Sequence, residues 1–329
     1  MGIRVGVIGT GRLGTQHVRV LKSLPEVDDV ACYDIVEERS RDAANKFGAT
    51  VFTDVDKMLE QVDAVSVVVP TVKHKDVSLR ALERGTHLFV EKPIAASMSE
   101  AGQIIDAARR HERVLQIGHI ERFNAALRKA YPRIQAPSFI EIHRLAPFTV
   151  RGIDVSVVMD LMIHDLDLLG MFLGEAPVDI RATGAGILTD GPDIVNARLE
   201  YRDGCVANLT ASRVSVEPMR KVRVFSARSY ISIDLLKGTV RHFEKGKSFD
   251  AGVARIKRNA ADVASLSLED FLKIEESKIE GEEPLFDELQ SFCQTVMNGK
   301  KPPVTGEDGL RALEIATEIQ RIVSKKPIR

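Results

Sequence analysis

Residues 3–17 read IRVGVIGTGRLGTQH, and this stretch decides the fold of the first part of the chain. An apolar run, Ile3–Ile8, stops at Gly9, and a helix-compatible segment begins after Gly11 and Gly14. Short runs rich in Val and Ile are typical of buried strands in a parallel sheet. In a dinucleotide-binding loop the first glycine allows the tight turn, the second lets the backbone approach a pyrophosphate, and the third lets the helix lie close to the strand. By itself, the pattern does not separate such a loop from a simple tight turn.

A second signal stands at the end of the next predicted strand, where the sequence VACYD ends at Asp34, twenty residues after Gly14. The dinucleotide fingerprint expects an acidic residue there, because its carboxylate accepts hydrogen bonds from the adenosine ribose. The N–H groups at the start of the following helix attract phosphate. A carboxylate at this place repels a 2′-phosphate, which favours NAD over NADP, although Arg39 and Arg41 keep NADP open.

Composition limits the class of protein. The chain has 329 residues, which favours two domains, and it carries 46 Lys and Arg against 47 Asp and Glu. This balance gives no electrostatic reason to expect nucleic acid or a membrane surface as a partner. No apolar segment is long enough to span a bilayer, and the N-terminus leads directly into a strand. The scattered cysteines Cys32, Cys205 and Cys293 fit neither a disulfide framework nor a zinc site, and we expect a cytoplasmic protein.

The first part of the chain alternates short apolar runs with helical segments, and this repeated pattern predicts a doubly wound parallel sheet. Ser97–Arg113 has helical periodicity, and Ser97 followed by Glu100 forms a capping-box pattern. The alternation ends near residue 120, so we place a dinucleotide-binding domain at 1–121 and a second domain at 122–329. The predicted strands are Ile3–Ile8, Val30–Tyr33, a short one near Val51, Ala64–Val69, His87–Val90 and Val114–Ile117.

The second part is predicted to be an α+β domain with an antiparallel sheet. Arg122–Ala130 and Val157–Leu173 are expected to be helical, as are Pro284–Asn298 and Gly309–Lys325. Residues 245–282 are charged and weakly patterned, and we expect a mobile excursion with one or two helical turns. The predicted strands are Phe139–Leu145, Val178–Ile187, Ile194–Tyr201, Val206–Val214, Lys221–Ser226 and Tyr230–Leu235.

The segment HLFVEKP ends the fifth predicted strand at Glu91, Lys92 and Pro93. In an open α/β sheet, ligands bind beyond the carboxyl ends of the strands, so Lys92 is expected where a nicotinamide and a substrate meet. Surface lysines are common, and this segment alone slightly favours the interpretation of Glu91 and Lys92 as a solvated pair at a strand end.

The segment VMDLMIHDLDLL spaces Asp160, His164 and Asp167 so that they share one face of a helix. A single histidine on such a helix is more often structural, but here two carboxylates one turn away could orient the imidazole. A metal site from these three residues also stays open, although the spacing specifies no further ligand, and we predict no metal.

Together, GTGRLG, Asp34, VEKP and DLMIHDLD resemble the Gfo/Idh/MocA oxidoreductases, and the resemblance extends to the terminal PPVTGEDGLRALEIA. It implies an N-terminal Rossmann domain and a C-terminal domain with a large open sheet that usually forms a homodimer or homotetramer interface. It also implies NAD as cofactor and maps catalytic roles onto Lys92, Asp160 and His164. The cofactor-binding residues that follow from the loop and the resemblance are Gly9, Thr10, Gly11, Arg12, Leu13, Gly14, Asp34, Pro70, Thr71, Glu91 and Lys92.

The expected reaction removes a proton and a hydride from a secondary alcohol of a sugar, polyol or nucleotide sugar. His164 is the candidate general base, Asp160 orients it or holds a substrate hydroxyl, and Lys92 donates to the reacting oxygen. Lys92 as the base is the alternative assignment. QIGHIERFNAAL resembles a subgroup that includes bacterial UDP-N-acetylglucosamine 3-dehydrogenases, which oxidise the sugar 3-hydroxyl. A ligand sensor without turnover, or a hydrolase or lyase with transient oxidation, are the alternative functions.

Several further residues are assigned by position. We expect Gln116, His119 and Phe123 beyond the sixth strand to line the cleft. Arg144 and Arg151 are candidates for a phosphate or carboxylate, with a surface role equally open. We expect His74, His111 and His242 to be surface or packing residues.

Overall fold

The computed structural model describes residues 2–149, 155–246, 249–250, 272–281 and 283–325. Its packing forms two compact units, Met1–Phe123 with Glu283–Ala316, and Asn124–Glu282 with Thr317–Arg329. The sequence division at residues 121 and 122 assigned Glu283–Ala316 to the second domain, whereas the packing groups these residues with the first unit. An amphipathic pattern predicts a helix but does not say which sheet its apolar face covers.

The first unit contains a six-stranded sheet in the order β3-β2-β1-β4-β5-β6, with every pair parallel. This order confirms the predicted doubly wound Rossmann arrangement. Strands β4 and β6 are buried along their whole length and β1 and β5 over most of theirs, as a sheet covered by helices on both faces requires. The strands are β1 (Ile3–Ile8), β2 (Val27–Tyr33), β3 (Thr50–Val51), β4 (Ala64–Val67), β5 (His87–Glu91) and β6 (Leu115–Gly118).

Helices connect these strands, and local signals set several of their ends. The Ser97 hydroxyl accepts from the Glu100 N–H at 3.2 Å, as the capping-box pattern predicts, while the Glu100 carboxylate accepts at 3.2 Å from the N–H of Ala96, one residue before the N-cap. The glycine at Gly48 ends the second helix in the left-handed region, with φ 73°. The helices are α1 (Arg12–Ser23), α2 (Glu37–Phe47), α3 (Val55–Leu59), α4 (His74–Glu83) and α5 (Met98–Arg110).

A helix from the end of the chain completes the core of the first unit. Helix α8 (Pro284–Asn298) contributes Leu289, Phe292 and Cys293, which are fully buried in the same cluster as strand and α1 residues. The rings of Phe89 and Phe292 meet edge to face with centroids 5.7 Å apart. Side chains separated by some two hundred residues in sequence therefore build one core.

The second unit contains an eight-stranded sheet in the order β14-β13-β12-β11-β7-β10-β9-β8. Only the β10–β7 pair is parallel, which confirms the predicted large, mostly antiparallel sheet. Buried and half-exposed residues alternate along β7 and β10, so one face of the sheet carries the core. The strands are β7 (Phe139–Leu145), β8 (Asp179–Ala185), β9 (Ile194–Glu200), β10 (Val206–Ser212), β11 (Met219–Phe225), β12 (Ser229–Asp234), β13 (Thr239–Lys245) and β14 (Leu272–Lys278).

Two strands correct the sequence analysis. Strand β13 lies in a segment with no predicted element, and β14 lies within residues 245–282, which we expected to be a mobile excursion. The residues 247–248, 251–271 and 282 of that excursion lie outside the described part of the chain. Strand β14 is half exposed and rich in Lys and Glu, so its sequence lacks the apolar alternation that indicates a strand. Its strand conformation is specified by pairing with β13.

The helices of the second unit are α6 (Ala125–Ala130), α7 (Ile163–Leu173) and the end of α9 (Gly306–Lys325). Helix α6 packs on β12 and β13. A π-helical turn, Val158–Met162, precedes α7 directly, so the predicted block 157–173 is not one regular α-helix. Among the described residues, no helix combines the length and hydropathy needed to cross a membrane.

Candidate active site

The predicted cofactor residues follow the carboxyl ends of parallel strands in the first unit. Gly9 follows β1, Asp34 follows β2, Pro70 follows β4 shortly after its end, and Lys92 follows β5. Because parallel strands present their carboxyl ends at one edge of a sheet, these residues lie along one edge. The structure therefore brings the predicted cofactor set together within one unit.

The glycine loop has the steric properties that a phosphate site requires. Gly9 has φ +93°, and a Cβ there would lie 2.6 Å from the Val68 carbonyl oxygen. A Cβ on Gly14 would lie 1.8 Å from the carbonyl oxygen of Gly9, so only glycine permits this contact between helix and loop. A Cβ on Gly11 would meet no described atom within 4 Å, which leaves room beside the first turn of α1. The described first turn of α1 contains no acidic residue. No carboxylate of that turn therefore competes with a bound anion for its N–H groups.

The carboxylate of Asp34 is ordered by the chain around it and is 8% exposed. Its Oδ2 accepts from the N–H of Thr10 at 2.7 Å, and its Oδ1 accepts from the N–H of Val36 at 2.9 Å. The Thr10 hydroxyl also lies 3.4 Å from Oδ2, and since a carboxylate has about four lone-pair sites, these contacts leave acceptor capacity for a ribose hydroxyl. The residues Arg12 and Leu13 of the predicted set are exposed at the start of α1.

Buried side chains contact the Glu91–Lys92–Pro93 turn. The Glu91 Oε1 lies 3.2 Å from Nε2 of His17, whose Nδ1 lies 2.8 Å from the Ser66 hydroxyl. The Glu91 Oε2 accepts from the backbone N–H of Lys92 at 3.2 Å. Glu91 is therefore anchored by the residues around it, and its side chain is only 13% exposed. The Lys92–Pro93 peptide bond is cis.

Pro70 and Thr71 lie in the turn that follows β4, which is the second turn that carries predicted site residues. Thr71–Lys73 is a 3-10 turn that leads into α4, whose first residue is His74. His74 is 1% exposed, and its Nε2 and Nδ1 lie 2.9 Å from the carbonyl oxygens of Val69 and Pro93 respectively. His74 is thus buried, as a packing residue would be, but with polar contacts at both ring nitrogens.

Asp160 and His164 lie on and directly after the π-helical turn of the second unit. Asp160 is exposed, His164 is half-buried and Asp167 is 2% exposed. The predicted shared face rested on a regular α-helix, and the wider π turn that carries Asp160 changes its angular spacing to His164 and Asp167 on α7. Single π turns occur frequently at functional sites. Within the described residues, no group of three or more His, Cys, Asp or Glu is arranged to hold a metal ion.

Several residues expected at the cleft are buried in the structure. Gln116 is fully buried and its Nε2 donates to the Glu288 carbonyl at 3.2 Å, while His119 and Phe123 are 1% and 5% exposed. The assignment of Gln116 to the cleft is therefore wrong, because the amide serves to tie β6 to α8. Strand position alone does not reveal that a carboxyl-terminal helix covers the strand.

Arg144 is also not the free anion binder that the sequence left open. Its Nε and Nη2 donate to Oδ1 of Asp165 at 2.9 and 2.7 Å, and both residues are almost completely buried. This ion pair joins β7 to the first turn of α7, which begins next to His164. Arg151 lies outside the described residues. His111 is exposed, and His242 is half-buried beside Arg133 at 3.1 Å.

Sequence reasoning did not single out His17 and Ser66. His17 follows the last glycine of the loop by three residues, and this spacing places it on the buried face of α1. A polar residue on the buried face of an amphipathic helix was the available signal, since such a side chain needs a partner. The partners, on β4 and β5, could be identified only from the fold.

Comparison with known proteins identifies the family. Residues 3–119 match an oxidoreductase family with an NAD-binding Rossmann fold, and residues 109–232 match the GFO/IDH/MocA C-terminal domain. The chain belongs to the GFO/IDH/MocA oxidoreductase family. It is 39% identical over 278 residues to UDP-N-acetylglucosamine 3-dehydrogenase from Acidithiobacillus ferrooxidans, covering 82% of this chain and 88% of that protein. It is 25% identical to myo-inositol 2-dehydrogenase from Thermotoga maritima, covering 98% and 97% of the two chains.

Solved structures of GFO/IDH/MocA members have the same fold. The UDP-N-acetylglucosamine 3-dehydrogenase from Acidithiobacillus ferrooxidans superposes with a TM-score of 0.87 at 33% identity, covering 99% of each chain. A scyllo-inositol dehydrogenase from Lactobacillus casei, with NAD(H) and scyllo-inositol bound, gives a TM-score of 0.79 at 20% identity, covering 99% and 98%. At that identity the second likeness concerns the fold alone.

The GFO/IDH/MocA family binds NAD through its Rossmann domain, and the residues here fit that cofactor. The space beside Gly11 admits a pyrophosphate at the start of α1, and the anchored Asp34 carboxylate suits ribose hydroxyls. The exposed Ile35, next to Asp34, offers no charge to a 2′-phosphate. The site chemistry is therefore that of an NAD-dependent oxidoreductase acting on CH–OH groups.

Proposed function

We propose that this protein is an NAD-dependent dehydrogenase of a nucleotide sugar, and that the 3-hydroxyl of UDP-N-acetylglucosamine is its substrate group. The 39% identity to UDP-N-acetylglucosamine 3-dehydrogenase over 82% of the chain carries this choice of substrate. Free inositols are the second substrate class, because the inositol dehydrogenases are also relatives, at 24–27% identity over nearly the whole chain.

In the proposed reaction a base takes the hydroxyl proton of a secondary alcohol, and the hydride on the same carbon passes to an acceptor. NAD, when bound, supplies that acceptor. The His164 imidazole takes the hydroxyl proton, since its ordinary pKa lies near physiological pH. The Lys92 ammonium donates a hydrogen bond to the same oxygen and stabilises the negative charge that develops there. Asp160 orients the imidazole or a neighbouring hydroxyl. In the alternative assignment Lys92 is the base.

The proposed mechanism assigns Lys92 and His164 to the same reacting oxygen. Two features support it. The turn that carries Lys92 is held from below by the Glu91–His17 contact, and a positioned ammonium stabilises charge better than a mobile one. The helix that carries His164 is fixed to the sheet by the buried Arg144–Asp165 pair.

The test is an assay of NADH formation with purified protein, NAD or NADP, and a panel of UDP-N-acetylglucosamine, UDP-glucose, myo-inositol and scyllo-inositol. We expect NADH from UDP-N-acetylglucosamine and a 3-keto product by mass spectrometry. NADH from the inositols alone would reject the nucleotide-sugar proposal. A substrate converted without net NADH would indicate the hydrolase or lyase, and binding without conversion would indicate the sensor.

Substitutions separate chemistry from cofactor binding. We expect Lys92→Met and His164→Gln each to reduce kcat by about a hundredfold or more, since each removes a proton donor or acceptor at the reacting oxygen. NAD affinity, measured by calorimetry, is expected to be retained. Lys57→Met and His111→Gln, at exposed positions, are the matched controls. Turnover near the wild-type rate in either variant would remove that residue from the mechanism.

We also propose that the chain forms a homodimer or homotetramer through the half-exposed face of its large sheet. Phe139, Phe225, Tyr230 and Phe243 lie directly opposite one another on neighbouring strands of this face. Their rings follow each other with centroids 5.9, 4.6 and 5.3 Å apart. A continuous row of half-exposed aromatic side chains on one sheet face, as the described residues leave it, favours association.

Molar mass measured by light scattering tests the association. We expect a dimer or tetramer for the wild type and a smaller species for Tyr230→Asp, since a charge in the middle of the aromatic row opposes burial. Val216→Asp, at an exposed loop residue outside the row, is the control. An unchanged mass for Tyr230→Asp would place the interface elsewhere.

The compartment proposed is the cytoplasm. Cys32, Cys205 and Cys293 are all free and buried, which suits a reducing environment. Cell fractionation of the producing organism tests this assignment.

A further inference from the structure

His74 contacts two separate turns of the first unit with one side chain. Its Nε2 lies 2.9 Å from the carbonyl oxygen of Val69, in the turn after β4. Its Nδ1 lies 2.9 Å from the carbonyl oxygen of Pro93, in the turn after β5. His74 is 1% exposed, its contact with the Pro93 oxygen is buried, and its contact with the Val69 oxygen is part-buried.

The chemistry of an imidazole suits this double contact. A neutral ring has one N–H and donates to one of the two oxygens, whereas a protonated ring donates to both. Burial lowers the pKa of His74, and the carbonyls of Val69 and Pro93 and the Glu91 carboxylate oppose that shift only in part. In either protonation state the ring lies between the two turns and donates to at least one of the two carbonyl oxygens; only the protonated ring donates to both.

The two turns are those that carry the predicted site. Val69 precedes Pro70 and Thr71, which are expected at the cofactor, and Pro93 follows Lys92 directly. On the other side of Lys92, Glu91 is held by His17. Lys92 therefore stands between two residues that are each in contact with a buried histidine.

We propose that His74 is a positioning residue that fixes Lys92 relative to the Pro70–Thr71 turn. It has no part in the chemical step and acts through the carbonyl groups of Val69 and Pro93. The role of Lys92 at the reacting hydroxyl rests on the proposed function, whereas the link between the two turns does not.

Hydrogen exchange measured by mass spectrometry on the whole protein tests the link without any substrate. In His74→Phe, which keeps a ring but has no N–H, we expect amides of residues 69–73 and 92–96 to exchange about tenfold faster, the effect of losing roughly one buried hydrogen bond. His74→Gln, whose amide nitrogen carries two N–H donors, is expected to restore most of the protection.

His87→Phe is the matched control. His87 is half-buried at the opposite end of β5, where its Nδ1 accepts from the Val114 N–H at 3.0 Å. We expect its substitution to affect exchange near residues 87 and 114 only. Equal acceleration throughout the first unit in His74→Phe, or the same exchange profile in His87→Phe, would overturn the proposed link.

Kinetics with NAD and UDP-N-acetylglucosamine then test the consequence for Lys92. We expect His74→Phe to lower kcat by about tenfold to a hundredfold, the range that a displacement of about 1 Å can cause, with the NAD dissociation constant nearly unchanged. His74→Gln is expected to recover most of kcat. An unchanged kcat in His74→Phe, or an equal loss in His74→Gln, would overturn the positioning role.

The outcomes distinguish the two proposals. If the wild type oxidises no member of the substrate panel, the proposed function fails while the exchange experiment still decides the link between the turns. If His74→Phe does not fold, His74→Asn and His74→Gln provide the comparison. In that case equal exchange at residues 92–96 in the wild type and both variants would reject the proposal.

Discussion

The carboxylate of Asp34 accepts a hydrogen bond of 2.7 Å from the backbone N–H of Thr10, and this contact joins the end of β2 to the glycine loop. The acidic residue of the fingerprint thus has two tasks. It shapes the loop that receives the pyrophosphate, and it offers its remaining lone pairs to the ribose.

Replacing this carboxylate is expected to change cofactor choice. In Asp34→Asn the negative charge is lost, and we expect NAD to bind about tenfold to a hundredfold more weakly, the value of hydrogen bonds to a charged group. The relative affinity for NADP should rise, because the repulsion of its 2′-phosphate is removed. Calorimetric titration measures both, since the chain has no Trp to report binding by fluorescence. Glu38→Gln, at an exposed acid on α2, is the control, and an equal effect there would contradict the assignment.

Of the loop glycines, Gly14 is expected to be required for stability and Gly11 for NAD binding. Gly14→Ala places a methyl group 1.8 Å from the Gly9 carbonyl oxygen, and we expect a loss of about 3 kcal/mol or more in the free energy of unfolding. Gly11 has φ −62° and open space around it, so Gly11→Ala should leave stability within about 0.5 kcal/mol. Its methyl group would instead occupy the pyrophosphate position and weaken NAD binding. Urea denaturation and calorimetry separate the two effects; normal NAD affinity in Gly11→Ala would argue against the pyrophosphate site.

Removing one partner of the buried ion pair in the second unit is expected to destabilise the protein strongly, because the other charge stays buried without its partner. Arg144→Met leaves the Asp165 charge without its guanidinium, and we expect a loss of about 3–5 kcal/mol in unfolding free energy. Arg144→Met combined with Asp165→Leu removes both charges and should recover much of this loss. Arg181→Met breaks an exposed pair with Asp179 and should cost less than about 1 kcal/mol. Equal losses for Arg144→Met and Arg181→Met in urea denaturation would contradict this account.

Asp193 is expected to make stability depend on acid pH. Burial acts to raise the pKa of this carboxyl, but hydrogen bonds from the N–H groups of Leu188, Ile187 and Thr189 and from the Thr189 hydroxyl lower it from 3.8 to about 2. Because the folded pKa lies below the unfolded one, the stabilisation is complete above about pH 4 and is lost as the pH falls through the folded pKa. Asp193→Asn should therefore lose about 2 kcal/mol at neutral pH, and its difference from the wild type should vanish near pH 2. Urea denaturation from pH 2 to 7 measures this, with exposed Asp190→Asn as control; a pH-independent difference would assign the effect to packing.

The parts of the site that could be predicted lie close together in sequence. The glycine loop and Asp34 fall within one βαβ stretch, where local pattern and chain connectivity determine both the fold and the cofactor chemistry. The N-cap at Ser97 is likewise a local feature, and it is present as predicted.

The residues that sequence reasoning misassigned depend on packing between distant segments. The sequence placed Gln116 at the cleft, whereas in the structure α8 covers it. The sequence left Arg144 open as an anion-binding residue, whereas in the structure it pairs with Asp165 of α7. Strand β14 carries charges on its exposed positions and is recognisable only by its pairing with β13.

The amino-acid sequence by itself determined the doubly wound domain, the NAD loop, and the identity of Lys92, Asp160 and His164 as candidate groups. Periodicity, glycine spacing and the position of Asp34 are local properties of the chain that indicate the domain and the loop, whereas the roles of Lys92, Asp160 and His164 follow from the resemblance to the Gfo/Idh/MocA oxidoreductases. Three contacts are visible only in the folded protein. Phe292 packs into the core of the first unit, His74 contacts the turns after β4 and β5, and His17 contacts Glu91. Those contacts join residues far apart in the chain, and their free energy depends on burial and on partners that exist only once the sheet is formed.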